Sequence, residues 1–257
     1  MDKRLEEFKR LLDIMDELRL KCPWDREQTN QSLRTLTIEE VYELADAVHK
    51  NNADEIKKEL GDILLHIVFY AKIGEEQKKF DIADVIESIN NKLVYRHPHI
   101  FSDVKVADAR EVERNWEKIK LSEGRKKTVL GGIPDALPAM IKAYRMQDKA
   151  RGVGFDWEKK EQVWDKVTEE YNELLHEIEN NNLEKAEKEF GDMFFALINA
   201  CRLYGLNPEN ALEKTNTKFK QRFEYLESQT IAQGIDLKTL KLEEMDKFWD
   251  EAKGKGL

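Results

Sequence analysis

The sequence predicts an all-α protein built from two tandem helical-bundle domains, and three observations lead to this fold class. An acidic pattern occurs twice, and each of its residues recurs 130 positions further along the chain. Apolar residues follow helical spacing, and no strand-like run is long enough to suggest a sheet. Charged residues make up 37% of the 257 positions and prolines number five, as expected of a mostly helical chain. The repeat carries most weight because it fixes the architecture.

The first half is predicted to consist of helices joined by short breaks. The segment Cys22-Pro23-Trp24-Asp25 ends the first helix, and Pro98 stops a later one because proline disfavours a helical conformation in the preceding residue. The cluster Asn51-Asn52-Ala53-Asp54 favours a turn between two helices. The predicted helices are Leu5–Leu20, Ile38–His49, Glu55–Ala71, Phe80–Tyr95 and Asp108–Leu121.

The second half repeats this order after a segment rich in glycine. Residues 123–134 include Gly124, Gly131, Gly132 and Pro134 and are predicted to form a linker between domains 1–122 and 135–257. A turn at Asn180-Asn181-Asn182 joins a second pair of acidic helices. The other predicted helices of this half are Asp135–Arg151, Pro208–Ser228 and Leu240–Lys253.

The repeated acids are predicted to converge. Residues three apart face the same way on a helix, and each acidic pair lies at the same distance from its turn, so an antiparallel hairpin brings four carboxylates together. A solvated acidic face would explain one such set, but repetition at a fixed offset argues against it. Clustered carboxylates bind hard divalent cations, Mg²⁺ first and Mn²⁺ as an alternative. The predicted metal ligands are Glu40, Glu43, Glu59 and Asp62 in the first half and Glu170, Glu173, Glu189 and Asp192 in the second.

A basic pair also occurs in both halves. Lys218 and Arg222 share a helix face and can neutralise a polyphosphate, although a solvated basic face is the alternative. Trp249 is expected either to stack on a base or to pack in the core. Asp25 and Asp156 each follow an aromatic residue and are expected to cap helices. The predicted nucleotide-binding residues are Asn216, Lys218, Arg222 and Trp249, with Asn90, Lys92 and Arg96 in the first half.

The composition argues against nucleic-acid and membrane partners and indicates a reducing compartment. A net charge of -9 and a pI of about 5.3 argue against nucleic-acid binding. The most apolar stretch, Ile63–Ala71, is too short to span a bilayer, and the charged N-terminal segment has no apolar signal core. Cys22 and Cys201 form no CxxC pair, which is typical of a protein of the reducing cytoplasm.

Several motifs together resemble one known family. The ExxE and ExxD acidic motifs occur with Cys22-Pro23-Trp24-Asp25, Arg96-His97-Pro98-His99 and Gly152-Val153-Gly154-Phe155-Asp156-Trp157, followed by Lys218-Phe219-Lys220-Gln221-Arg222-Phe223. The chain resembles the MazG nucleoside triphosphate pyrophosphohydrolases from about residue 5 to residue 253. The resemblance implies tandem MazG-like domains, a homodimer, and Mg²⁺-dependent hydrolysis of nucleoside triphosphates to monophosphate and pyrophosphate with broad base tolerance.

The resemblance also suggests roles and a ranking of the two halves. We expect the acids of the second half to be catalytic as metal ligands, with Glu169 or Glu170 orienting or deprotonating a water molecule. Lys218 and Arg222 are expected to stabilise the departing pyrophosphate. In relatives, the C-terminal copy of the domain is the more dependable catalyst. In this chain, the stretch between Asp62 and Lys92 in the first half is longer than the stretch between Asp192 and Lys218 in the second.

Two other classes of function fit parts of the pattern. A di-iron carboxylate bundle needs two ExxH motifs, and Glu173-Leu174-Leu175-His176 is one, but the first half has Asp46 at the histidine position. A non-catalytic nucleotide-binding regulator would keep the same fold without turnover.

Overall fold

The computed structural model describes residues 2–108, 111–112, 115–116, 119 and 128–257. Within these ranges the chain forms α-helices, short 3-10 helices, turns and loops, and contains no strand. The prediction of an all-α fold is therefore confirmed. In the same ranges, every helix is too short or too polar to cross a lipid bilayer.

The chain divides into two compact units, Met1–Ala109 and Arg110–Leu257. The predicted linker, residues 123–134, lies partly outside the described residues, and so does much of the helix predicted at Asp108–Leu121. The domain limits at residues 122 and 135 therefore stay predictions.

The helices of the first unit agree with the predicted order, and one of them begins well before its predicted start. The sequence after Asn30 lacks a strong apolar pattern, but the Thr29 side chain accepts from the Ser32 backbone N–H and the Ser32 side chain accepts from Thr29 in return. This reciprocal cap starts the helix eight residues before Ile38. The helices are α1 (Lys3–Lys21), α2 (Pro23–Glu27), α3 (Asn30–His49), α4 (Ala53–Glu76), α5 (Ile82–Arg96) and α6 (Pro98–Phe101).

The helices of the second unit also follow the prediction, with one late start. The helix expected from Asp135 begins only at Ala139, because Pro138 caps it in an extended conformation and restricts the residue before it. The helices are α7 (Ala139–Arg151), α8 (Val163–Glu179), α9 (Leu183–Leu203), α10 (Pro208–Ala232) and α11 (Leu242–Gly254). Short 3-10 helices lie at Lys160–Gln162 and Leu237–Thr239.

Each unit contains the predicted hairpin of acidic helices, α3 with α4 and α8 with α9. The turns are closed by asparagines in the left-handed conformation, Asn51 with a φ of 52° and Asn181 with a φ of 53°. The next residue in each case, Asn52 or Asn182, caps the following helix through its side-chain oxygen. Matching turn chemistry therefore gives the two hairpins the same geometry.

The two units differ in how their cores are filled. In the first unit a cluster of large buried side chains links α1, α3 and α4, and its members are Met15, Leu33, Val68, Phe69 and Ile73. In the second unit many buried positions of α9 are small, among them Ala186, Ala196 and Ala200. Of these alanines, Ala196 lines a cavity in the second unit.

Candidate active site

The first acidic cluster lies across the hairpin of α3 and α4. Glu40 and Glu43 of α3 and Glu59 of α4 each offer an oxygen within 4.8 Å of the others. Glu59 is only 2% exposed. Its Oε1 accepts from Lys58 Nζ at 2.9 Å, while its buried Oε2 has no hydrogen-bond partner among the described residues. A buried carboxylate oxygen without a partner is costly, so this atom fits a site that receives a cation.

The second cluster occupies the matching place on α8 and α9. Glu170, Glu173 and Glu189 each offer an oxygen within 4.8 Å of the others. Glu170 is 5% exposed. Lys166, one turn earlier on α8, lies 2.6 Å from Glu170 and 2.9 Å from Glu169. Hydrogen bonds to Glu170 and Glu169 raise the pKa of Lys166 well above its ordinary value.

The fourth predicted acid of each half lies beside its cluster and outside the group of converging oxygens. Asp62 and Asp192 are absent from the two sets that meet within 4.8 Å. Their charges nevertheless act on the clusters, Asp62 on Glu40 and Asp192 on Glu189. The structure thus brings together three of the four predicted metal ligands in each unit, and the fourth lies near enough for its charge to act on a cluster member.

In each cluster the pKa of one carboxyl group is raised. Loss of hydration, and then the charges of Asp62, Glu43 and Glu59, raise the pKa of Glu40. In the second unit loss of hydration, followed by the charges of the neighbouring acids, raises the pKa of Glu189. Like charges this close repel one another, and a bound divalent cation would relieve the repulsion.

The donor set discriminates between classes of metal. All ligand atoms are carboxylate oxygens, which suit Mg²⁺ or Mn²⁺ more than a soft metal. His176 lies outside the second cluster, and its ring nitrogen Nε2 is 3.1 Å from the amide nitrogen of Asn180. The ExxH motif therefore does not bring its histidine to the acidic cluster.

The basic pair of the second unit lies on α10, next to α11. The Arg222 guanidinium stands 5.7 Å from the ring centre of Trp249, and its Nε donates to the carbonyl oxygen of Leu257 at 2.7 Å. Lys218 is exposed. Among the described residues, neither side chain makes a hydrogen bond or ion pair with the acidic cluster. Arg222 on α10 thus lies beside Trp249 on α11, and Lys218 stands one turn earlier on α10.

The remaining predicted nucleotide contacts lie on helix surfaces. Asn216 of α10 is exposed and donates to Glu213 at 3.1 Å. On α5, Asn90 and Lys92 are exposed and Arg96 is half-buried. Their positions match the spacing that the sequence predicts, and their roles stay predictions.

Neither of the two aspartates that were predicted to cap helices does so. Asp156 pairs with Arg202, whose Nη1 donates to it at 3.0 Å, and also accepts from the backbone N–H of Trp157. Asp25 lies inside α2 and is buried, and its carbonyl oxygen accepts from Arg19. The capping prediction is wrong for both residues, because Asp156 pairs with Arg202 and Asp25 lies inside α2, whose N-cap is Cys22.

Sequence reasoning missed a cavity that adjoins the second cluster. It has a volume of about 650 Å³, and its walls include Gln147, Lys166, Glu170 and Asp192. A signal for Lys166 was present, since it lies four residues before Glu170 on one helix face. The first half has Leu36 at the equivalent place, so Lys166 does not belong to the repeated pattern.

Comparison with known proteins places the chain in a family. The model of the MazG nucleotide pyrophosphohydrolase domain matches twice, at residues 28–101 and 158–226. The chain belongs to the MazG nucleotide pyrophosphohydrolase family. Both matches contain one acidic hairpin with its turn, so the family assignment and the structural repeat coincide.

The similarity to individual MazG proteins extends over nearly the whole chain. The nucleoside triphosphate pyrophosphohydrolase/pyrophosphatase MazG of Thermotoga maritima is 42% identical over 251 residues, which is 96% of each chain. The nucleoside triphosphate pyrophosphohydrolase of Escherichia coli is 39% identical and covers 97% of this chain and 98% of its own. The uncharacterized protein YabN of Bacillus subtilis is 46% identical, but the match covers only 52% of that protein.

Proposed function

We propose that this MazG-family protein hydrolyses nucleoside triphosphates to nucleoside monophosphate and pyrophosphate, with Mg²⁺ as its metal and with broad base tolerance. The observation that carries the proposal is the convergence of three carboxylates, one of them buried, on each hairpin. Two relatives that match nearly the whole chain are named for this activity. Mn²⁺ has the same preference for oxygen ligands and is expected to replace Mg²⁺.

Glu170, Glu173 and Glu189 would hold the metal in the second unit, with Asp192 nearby. The unpartnered oxygen of Glu59 supports the same assignment for the first unit. Mg²⁺, when bound, offsets negative charge on phosphate oxygens and lowers the pKa of water. Lys166 lies 2.6 Å from Glu170 and offsets part of its charge.

We assign activation of the attacking water to Glu169, with Glu170 as the alternative. Glu169 is exposed and outside the converging set, so its carboxylate keeps a free lone pair to accept a proton. Lys166 fixes its position through the 2.9 Å ion pair. The water oxygen adds to phosphorus, its proton passes to the carboxylate, and the anhydride bond between the α and β phosphates breaks.

The basic residues of α10 are assigned to the leaving group and the nucleotide. Lys218 and Arg222 would stabilise the charge that develops on pyrophosphate. Trp249, beside Arg222, and Asn216, two residues before Lys218, would hold the rest of the nucleotide. Asn90, Lys92 and Arg96 are the matching set on α5.

We rank the second unit as the principal catalyst and expect both units to bind metal. Both contain three converging carboxylates, so the capacity to bind metal does not distinguish them. Phe69 is buried in the core of the first unit, whereas its counterpart in the second unit, Asn199, lines an open cavity. A nucleotide therefore has more room in the second unit.

We propose a homodimer that buries the outer faces of the hairpins. In the second unit a row of exposed apolar side chains repeats every three or four residues on each helix, which describes one continuous face per helix. This face consists of Tyr171, Leu175, Ile178, Phe190, Phe194 and Leu197. The first unit has Val41, Val48, Leu60, Leu64 and Ile67 at matching positions. Apolar faces of this extent mark association surfaces in soluble proteins.

We propose the cytoplasm as the compartment. Cys22 and Cys201 are free thiols, as expected where disulfides are kept reduced.

The proposed function is tested by a panel of nucleoside triphosphates with Mg²⁺, with products identified by ³¹P NMR. We expect monophosphate and pyrophosphate from purine and pyrimidine substrates alike, and none of either after chelation. Nucleoside diphosphate and inorganic phosphate as products would contradict the proposed bond cleavage. Nucleotide binding without turnover would instead favour a non-catalytic regulator.

A further inference from the structure

Helix α11 ends in a hydrogen-bonded cap that is built on a glycine. The backbone N–H of Gly256 donates to the carbonyl oxygen of Lys253 at 3.0 Å, and the backbone N–H of Leu257 donates to that of Ala252 at 3.2 Å. These two bonds form a Schellman motif, in which the residue after the C-cap takes the left-handed conformation. Gly256 has a φ of 82°, which a residue with a side chain adopts only with strain. The motif therefore fixes the place of Leu257 relative to α11.

The cap is attached to α10 through a tyrosine. Lys255 Nζ donates to the Tyr225 hydroxyl at 2.6 Å and also lies 4.3 Å from the centre of the Tyr225 ring. The same hydroxyl donates to Glu251 Oε2 at 3.2 Å. Ala252, in the last turn of α11, is fully buried. These contacts hold the end of α11 and its cap at one place on α10.

The cap supplies a hydrogen-bond acceptor to Arg222. This arginine lies three residues before Tyr225 and therefore on the same side of α10. Its Nε donates to the carbonyl oxygen of Leu257 at 2.7 Å, and its guanidinium lies over the Trp249 ring at 5.7 Å from the ring centre. One edge and one face of the guanidinium are thus held by groups of the protein.

The terminal nitrogens of Arg222 are left for a ligand. Among the residues that the structure describes, Nη1 and Nη2 make no hydrogen bond or ion pair. A guanidinium presents N–H donors in a planar fork that matches the oxygens of a phosphate. A freely rotating arginine loses side-chain entropy when it binds, and an arginine that is already oriented loses less. The bond to Leu257 therefore lowers the cost of presenting these donors.

The matching arginine of the first unit is placed differently. Arg96 is the last residue of α5, whereas α10 continues well beyond Arg222. The residue that matches Tyr225 is His99, which lies in the separate helix α6. The anchor that Tyr225 provides one turn after Arg222 on a continuous helix therefore distinguishes the second unit.

We propose that the cap of α11, residues 255–257, positions Arg222: the Leu257 carbonyl orients the guanidinium so that Nη1 and Nη2 bind oxygens of pyrophosphate. The inference rests on the proposed function, which assigns Arg222 to the leaving group. Gly256 and Tyr225 are positioning residues, because they act through Arg222 and not on the substrate.

The test removes the cap and leaves Arg222 in place. Gly256→Val puts a β-branched residue at a φ of 82°, so the cap cannot form without strain. Gly254→Val is the matched control, because Gly254 lies inside α11 and a Cβ at either glycine meets no atom of a more distant residue within 4 Å. Tyr225→Phe is a milder second variant that removes the hydroxyl bonded to Lys255 and keeps the ring. Thermal unfolding verifies that each variant is folded.

Two quantities are measured with Mg²⁺ present, the affinity for pyrophosphate by calorimetry and the steady-state kinetics with ATP. Gly256→Val should weaken pyrophosphate binding and lower kcat, each by about threefold to tenfold, as expected for the loss of one orienting hydrogen bond. The change in KM should be smaller, because charge on the leaving group develops in the transition state. Tyr225→Phe should cost about twofold to threefold, and Gly254→Val should resemble wild type.

A double-mutant cycle separates positioning from stability. In an Arg222→Ala background, Gly256→Val should cause no further loss of pyrophosphate affinity, because the cap then has no arginine to orient. An equal loss with and without Arg222 would overturn the inference, since the cap would then only stabilise α11. Tighter pyrophosphate binding by Gly256→Val would also overturn it, because the Leu257 carbonyl would then compete with phosphate. Wild-type affinity and kinetics in Gly256→Val would overturn it as well.

Failure of the inference and failure of the proposed function give different results. If no triphosphate yields pyrophosphate, but Gly256→Val weakens pyrophosphate binding only when Arg222 is present, only the proposed function fails. If wild-type protein releases pyrophosphate and Gly256→Val behaves like wild type, only the inference fails. Absence of both pyrophosphate release and pyrophosphate binding would overturn both.

Discussion

At the residue scale, the two clusters bury different members of the same acidic set. Glu59 is the buried acid in the first unit, and Glu170, which corresponds to Glu40, is the buried acid in the second. Glu170 pairs with Lys166 and Glu59 pairs with Lys58, but the second oxygen of Glu59 is buried without a hydrogen-bond partner among the described residues. Two sites with the same sequence motif therefore present different electrostatics to a metal ion.

The raised pKa values of Glu40 and Glu189 predict a pH-dependent response to Mg²⁺. A carboxyl whose folded pKa lies above its unfolded value stabilises the metal-free protein at low pH, and that stability is lost as pH rises through the folded pKa. Mg²⁺ competes with these protons. The increase in melting temperature caused by Mg²⁺ should therefore be larger at about pH 7.5 than at about pH 5. Equal increments at both values would contradict this assignment.

The basic pair allows a separation of catalytic from structural effects. Lys218 is exposed on α10, so Lys218→Ala should lower turnover with little change in the free energy of unfolding. Arg222 contacts both Trp249 and the Leu257 carbonyl, so Arg222→Ala should lower turnover and also cost about 1 kcal/mol of stability. Urea unfolding and steady-state kinetics on both variants measure the difference. Full activity in Lys218→Ala would remove it from the site.

At the element scale, the hairpin turns decide whether the acids meet. Asn181 adopts a φ of 53°, a conformation that β-branched residues strongly disfavour. Asn181→Val should cost about 1–2 kcal/mol of unfolding free energy, while Asn181→Gly should be close to neutral. Thermal unfolding of the two variants provides the comparison. Equal stability of both would show that the turn conformation contributes little.

The hairpins were predictable because their determinants are local and repeated. Helical spacing of the acids, the asparagine turns and the fixed offset all lie in the sequence. The early start of α3 was not predicted, because a cap between Thr29 and Ser32 outweighs a weak apolar pattern. The role of Asp156 was not predictable from spacing, since its partner Arg202 lies 46 residues away.

The cavity depends on packing rather than on any motif. The sequence indicates the cavity only where the two halves differ, as at Ala196, whose counterpart is His66. The repeated residues include the proposed metal ligands, whereas the positions that distinguish one half from the other do not repeat.

At the scale of the whole molecule, the exposed hairpin faces predict association. Phe194 is 58% exposed and stacks on Phe190 on α9, with ring centres 6.3 Å apart. Phe194→Glu should dissociate a dimer to monomers, because a charge in an apolar interface is costly. Ile231→Glu is the matched control, since Ile231 is equally apolar and exposed but lies on α10. Light scattering measures both, and a monomeric wild-type protein would refute the dimer.

We propose that the acidic cluster of the second unit carries out metal-dependent release of pyrophosphate. The most direct measurement is pyrophosphate release from ATP at saturating Mg²⁺ by Glu59→Gln, Glu189→Gln and the control Glu187→Gln, an exposed acid of α9 outside the cluster. We predict that Glu189→Gln loses at least about a hundredfold in turnover, that Glu59→Gln loses less, and that Glu187→Gln resembles wild type. A larger loss in Glu59→Gln, or unchanged turnover in Glu189→Gln, would show that the second cluster is not the principal catalytic site.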